Sequence, residues 1–145
     1  MIYSYFNPNL EKSFNENNVE FQSKKDVFHK VVTKIEKEYI LNYKSEKEID
    51  LNVEKLPDEI KEQLLELGIN KVLISFDNLK KCNKKYEISF VANEGWNVEN
   101  LNNVMIVYSP CDNTTIENNH TFDGYHIDTW GQGENWYIYS DTDSI

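Results

Sequence analysis

The sequence predicts an α+β fold, with two N-terminal helices packed on one face of a four- to five-stranded antiparallel sheet. Three observations predict it. Apolar residues recur with a period near 3.6 before Gly68 and with a period of 2 after it. The helical patterns come first and the strand patterns follow as a run, which makes neighbouring strands antiparallel partners. The last two strand patterns are joined by a five-residue break containing glycines, as hairpin strands are, while CDNTTIENNHTFDG before them reads as loop. At 145 residues the chain makes one domain, 1–145, with room for one core.

The elements follow in order. Ile2 to Phe6 alternates weakly, as a short strand does, and residues 7–22 read as irregular. Ser23 is the expected N-cap of the first helix, with Asp26 as its capping-box partner. Val27, Val31, Ile35 and Tyr39 then fall four residues apart, and Phe28 and Val32 widen the stripe. The stretch NYKSEKEIDLN reads as a polar connection. Pro57 suits a helix start, with Asp58 and Glu59 near the positive end of the dipole. Ile60, Leu64 and Leu67 form the second apolar stripe, and Gly68 ends it. Val72–Asp77 and Tyr86–Val91 alternate as a pair of strands around a lysine-rich turn. The loop NEGWNVENLNN carries Trp96, and VMIVYS, 104–109, reads as a central strand stopped by Pro110. Tyr125–Trp130 and Trp136–Ser140 form a final hairpin around GQGEN.

Composition narrows the function. The chain is 39% hydrophobic and 28% charged, ordinary for a globular protein. It has no apolar run long enough to span a membrane, and MIYSYFNPNL lacks the pattern of a signal peptide, so the expected location is cytoplasmic. Cys82 and Cys111 are then expected to be free thiols, and the Asn113-Thr114-Thr115 sequon has no consequence there. Every basic residue is Lys, and the richness in Asn, Ile and Lys fits an AT-rich bacterial genome. Without Arg, bidentate guanidinium clamps on phosphate are ruled out.

The net charge of −10 is unevenly spread. Residues 1–85 hold all 15 lysines and 15 of the 25 acids, and are neutral. Residues 86–145 hold 10 acids and no lysine, and carry the whole −10. Nucleic acid is thereby excluded as a partner, since phosphate contacts need cations, and so is an anionic membrane surface.

Three readings compete for the stretch YHIDTWGQGENWYIYSD, 125–141. His120, Asp123, His126 and Asp128 include ligand types for zinc or iron, but their spacing matches no metal motif, and no metal or cofactor is expected. His126 and Asp128 could act as a base and its orienter in a small enzyme or ligand pocket. However, the chain has no GxSxG elbow, phosphate loop or dinucleotide turn, and a non-enzyme is expected. The third reading is a binding surface. Period-2 alternation puts Ile127 and Ile138 on core faces and leaves His126, Asp128, Trp130, Tyr137, Tyr139 and Asp141 on the other. Aromatics ringed by carboxylates, in a segment without lysine, have the character of an interaction surface for a basic protein. The expected contact residues are Trp96, Asp123, His126, Asp128, Trp130, Glu134, Tyr137, Tyr139 and Asp141.

In its size, acidity, helices-then-sheet order and aromatic–acidic C-terminal sheet, the chain resembles the small immunity proteins of bacterial toxin–immunity systems. The resemblance implies a partner, a basic toxin that the protein binds and neutralises. It carries over no individual residue, because those proteins share no single motif.

Overall fold

A computed structural model describes residues 8–40, 48–77, 82–93, 95–97, 103–112, 114–116, 121–122 and 127–141. Helix α1 runs from Pro8 to Ile35 over 28 residues and ends in a π turn, Glu36–Ile40. Strand β1, Glu48–Asn52, and a 3-10 turn, Val53–Lys55, lead to helix α2, Asp58–Glu66. The remaining strands are β2 (Ile69–Phe76), β3 (Tyr86–Ala92), β4 (Asn103–Tyr108), β5 (Thr114–Ile116), β6 (Thr121–Phe122), β7 (Ile127–Glu134) and β8 (Trp136–Asp141).

The layout is α+β with an antiparallel sheet, as expected, but the sheet is larger. Its order is β1-β2-β3-β4-β8-β7, with the short β5 and β6 both paired to β7. Strand β1 arises within the stretch read as a polar connection. Only Ile49 and Leu51 turn inward, while Glu48, Asp50 and Asn52 are exposed, which is the composition of a guarded edge strand.

Helix α1 begins much earlier than Ser23. The Ser23 hydroxyl donates to the Glu20 carbonyl at 2.7 Å from within the helix and caps nothing. The apolar stripe continues back through Phe21, and four residues earlier Asn17 takes the next buried place. A buried amide is stable only when bonded. Asn17 Nδ2 donates to the Asn97 carbonyl at 2.8 Å, and the Asn97 N–H donates to Asn17 Oδ1 at 2.7 Å. This pair pins the first half of α1 to the β3–β4 connection. Helix α2 matches its sequence pattern: Ile60, Leu64 and Leu67 are buried, and Gly68 closes the helix at φ 77°.

The core lies between α1, α2 and one face of the sheet. Val72 and Ile74, Ile88 and Phe90, Val104 and Ile106, and Trp136 and Ile138 supply the sheet side. Phe21, Phe28, Val31, Val32 and Ile35 supply the side of α1. At its centre Trp136 is fully buried, with ring centroids 5.2 Å from Phe21 and 5.6 Å from Phe28. No helix among the described residues is long and apolar enough to cross a membrane.

Candidate binding face

The other face of the sheet carries neither described helix. Across it, Leu73, Ser89, Val107 and Tyr137 oppose one another in successive strands. The next row is Lys71, Val91, Met105 and Tyr139, continuing to Thr129. Residues paired in register share a face, so these rows form one surface. Leu73, Val91, Met105, Tyr137 and Tyr139 are half-buried, and Val107 at the centre is buried.

At one end of this face lies an acidic, hydroxyl-rich cluster. The Ser109 hydroxyl is 2.7 Å from Glu87 Oε2 and 2.5 Å from Asp112 Oδ2. The Tyr137 hydroxyl donates to Glu87 Oε2 at 3.4 Å. Burial pushes the Tyr137 phenol well above its ordinary pKa, and the adjacent Glu87 charge and hydrogen bond push it further. The turn that brings Asp112 here, Ser109–Asp112, is tied to the β7–β8 hairpin. Ser109 N–H donates to the Asn135 carbonyl at 2.7 Å, and Asn135 Nδ2 donates to the Asp112 carbonyl at 3.1 Å.

A disulfide anchors the same turn. Cys82 and Cys111 are joined, with Cα atoms 5.4 Å apart and a sequence separation of 29. The expectation of two free thiols is therefore corrected. Sequence distance hid the pair, because Cys82 lies in the β2–β3 connection and Cys111 just after β4, and only the pairing of β3 with β4 brings them together.

The expected contact residues are dispersed by the fold. Trp96 belongs to the core at 6% exposure; its indole N–H donates to the Leu67 carbonyl at 2.7 Å, and Lys24 Nζ lies 5.7 Å from its ring centre. The surface role expected of it is corrected. Its loop folds over the end of α2, where Asn93 N–H donates to the Gly68 carbonyl at 2.8 Å. Asp123 and His126 lie outside the described residues. The pocket envisaged around His126 and Asp128 therefore falls on a stretch that the structure describes only in part.

Asp128 and Trp130 are in β7, opposite Ser140 and Ile138. The expectation grouped positions 128 and 130 with Tyr137, Tyr139 and Asp141. That grouping needs the Gly133–Trp136 register to continue along the hairpin, but the register slips by one between Gly131 and Gly133. One extra residue in one strand reverses the parity of everything beyond it. Positions 128 and 130 therefore fall in register with the buried Ile138 and Ser140, while Thr129 and Ile127 oppose Tyr139 and Asp141.

The bulged residue, Gln132, is fully buried against α1. Gln22 Nε2 donates to its backbone carbonyl at 2.9 Å and to its Oε1 at 3.1 Å. Glu134 sits at the hairpin tip with φ 57° and forms ion pairs with Lys25 at 3.7 Å and, when the imidazole is protonated, with His29 at 3.1 Å. The GQGEN segment thus fastens the hairpin to α1. Of the expected contact residues, Tyr137 and Tyr139 lie on the helix-free face. Asp141 closes β8 opposite Asn103 and Ile127.

Sequence reasoning missed Leu73, Glu87, Val91, Met105, Val107, Ser109 and Asp112. One signal was available. VMIVYS is apolar on both strand faces, so the side away from the helices had to be partly shielded as well. Comparison with family models, curated proteins and solved structures finds no match to this chain.

Proposed function

We propose that the chain is a protein-binding module that receives a basic partner on its helix-free sheet face. The carrying observation is the placement of Tyr137 and Tyr139 there. They stand half-exposed beside Leu73, Val91 and Met105, with Glu87 and Asp112 at one end. Half-buried aromatics set in an apolar field with a polar border have the anatomy of interface hot spots. Charge supports the sign of the partner. Several lysines of residues 1–85 pair with acids of their own segment, as Lys24 does with Glu20, Lys34 with Glu59, Lys61 with Glu54 and Lys71 with Asp50, while Lys25 reaches Glu134. The excess of −10 stays on residues 86–145, which supply β3, β4, β7 and β8. A field of one sign speeds encounter with an oppositely charged protein and disfavours like-charged ones.

The most concrete form of this reading is an immunity protein that neutralises a basic toxin. It is supported by the acidity and the α+β layout. The test is to co-express the chain with the product of the reading frame directly upstream of its gene. A toxic basic product whose toxicity the chain relieves supports the reading. Tyr139→Ala with Met105→Ala should then weaken association by about 30-fold or more, the scale of a lost hot spot. Full-strength binding by a folded Tyr139→Ala/Met105→Ala variant would rule out this face.

A further inference from the structure

We propose that the Cys82–Cys111 disulfide is a redox switch for the acidic end of this face, holding the Ser109–Asp112 turn in place when formed and releasing it when reduced. The inference rests on the binding reading of the face, and adds its regulation.

The bond is placed to act on that surface. Cys111 lies inside the turn whose Ser109 hydroxyl meets Glu87, and Glu87 accepts from Tyr137 on the face itself. Cys82 belongs to a different connection, so the bond is a covalent link between the β2–β3 connection and the turn after β4. Both cysteines are half-exposed, within reach of a small thiol. The Lys84 carbonyl oxygen lies 3.2 Å from Cys111 Sγ and 3.5 Å from Cys82 Sγ, so both sulfurs sit at the start of β3, beside the acidic end of the face. A staple between two connections at an accessible position fits a reversible element better than a buried structural bridge.

The chemistry is ordinary exchange with a dithiol. One thiolate of the reductant attacks a sulfur of the pair and forms a mixed disulfide. Its second thiol then displaces the protein sulfur. The protein S–S bond is broken with two electrons taken from the dithiol, which becomes a disulfide. The two protons of the dithiol end on Cys82 and Cys111.

The test uses the whole chain, air-oxidised or treated with excess dithiothreitol, without any partner. Oxidised protein should show no thiol to a thiol reagent in the native state, and reduced protein should show two. Amide exchange at Ser109 and Asp112, whose N–H groups are bonded to Asn135 and Ser109 carbonyls, should be at least tenfold faster after reduction. Cys82→Ser/Cys111→Ser should exchange like the reduced chain in both conditions. Two free thiols in the folded, air-oxidised chain, or equal exchange in both states, overturns the switch whether or not the face binds. With the basic partner present, the oxidised chain should bind at least tenfold more tightly. Faster exchange with unchanged affinity overturns the regulatory role and leaves the binding reading standing. Loss of binding in neither state upon Tyr139→Ala/Met105→Ala overturns the binding face itself, and with it any regulation of binding there.

Discussion

Tyr137 joins the core chemistry of the sheet to its surface. Its phenol is held neutral by burial and by the Glu87 carboxylate, so its folded-state pKa lies above the unfolded value of about 10. A raised pKa means that the folded state binds the proton more tightly. This contribution is complete below about pH 10 and is lost as pH rises beyond it. Tyr86, buried and donating to Glu36, and the half-buried Tyr108 act in the same direction. Thermal stability should therefore fall from about pH 10 upward, and Tyr137→Phe should flatten part of that fall. An unchanged alkaline slope in Tyr137→Phe would show that the Glu87 contact does not hold the phenol neutral. Asn17 offers a second single-residue test. Asn17→Ala leaves both the N–H and the carbonyl of Asn97 without this partner and should cost about 2 kcal/mol by chemical denaturation. These residues also mark how far a sequence can be read. Phe28, Val31, Val32 and Ile35 declared their faces through spacing alone. Asn17 and Trp96 did not, because a polar residue in a core and an aromatic in a loop are placed by partners about 80 and 30 positions away.

At the scale of elements, the hairpin shows why local pattern is not enough. Strands β7 and β8 were legible from alternation, and so was a glycine-rich turn between them. The one-residue bulge at Gln132 was not, although it decides which positions of β7 share a face with Tyr139. Its cause is tertiary: the Gln132 carbonyl and side chain are drawn to Gln22 of α1. The tip carries a conformational cost, since Glu134 occupies a positive φ that side chains other than glycine seldom adopt. Its ion pairs are exposed and worth at most about 1 kcal/mol. Glu134→Gly should thus change stability by no more than about 1 kcal/mol, because relief of the backbone offsets the lost pairs. Glu134→Val should cost about 2 kcal/mol, adding a β-branched clash to the same loss. Equal effects of the two substitutions would remove the backbone from the explanation. Helix α2 gives the contrasting case. Its proline, acidic first turn, apolar stripe and terminal glycine are all local signals, and all of them hold.

At the scale of the whole molecule, β1 stands between α1 and α2, so the expected order of helices before sheet does not hold; the α+β class itself was legible, because the apolar period changes at Gly68. The number of strands was not, because β1 has two inward apolar residues and β5 and β6 are very short. The disulfide was invisible for the same reason as the bulge, since it depends on which strands become neighbours. A loop of this length closed by a disulfide contributes about 3.6 kcal/mol on chain-entropy grounds. Cys82→Ser/Cys111→Ser should lower the urea midpoint accordingly, and an unchanged midpoint would mean that the bond constrains little. The charge division, in contrast, was legible at once. The lysine-free segment supplies most of the sheet, and its helix-free face is where the account places a basic protein partner. The most direct measurement is a binding titration between the purified chain and the basic product of the upstream reading frame, repeated at rising salt and with Tyr139→Ala/Met105→Ala. The account expects tight association that weakens steeply with salt and falls by about 30-fold or more in the folded double variant. Association that ignores both salt and the double substitution would contradict it.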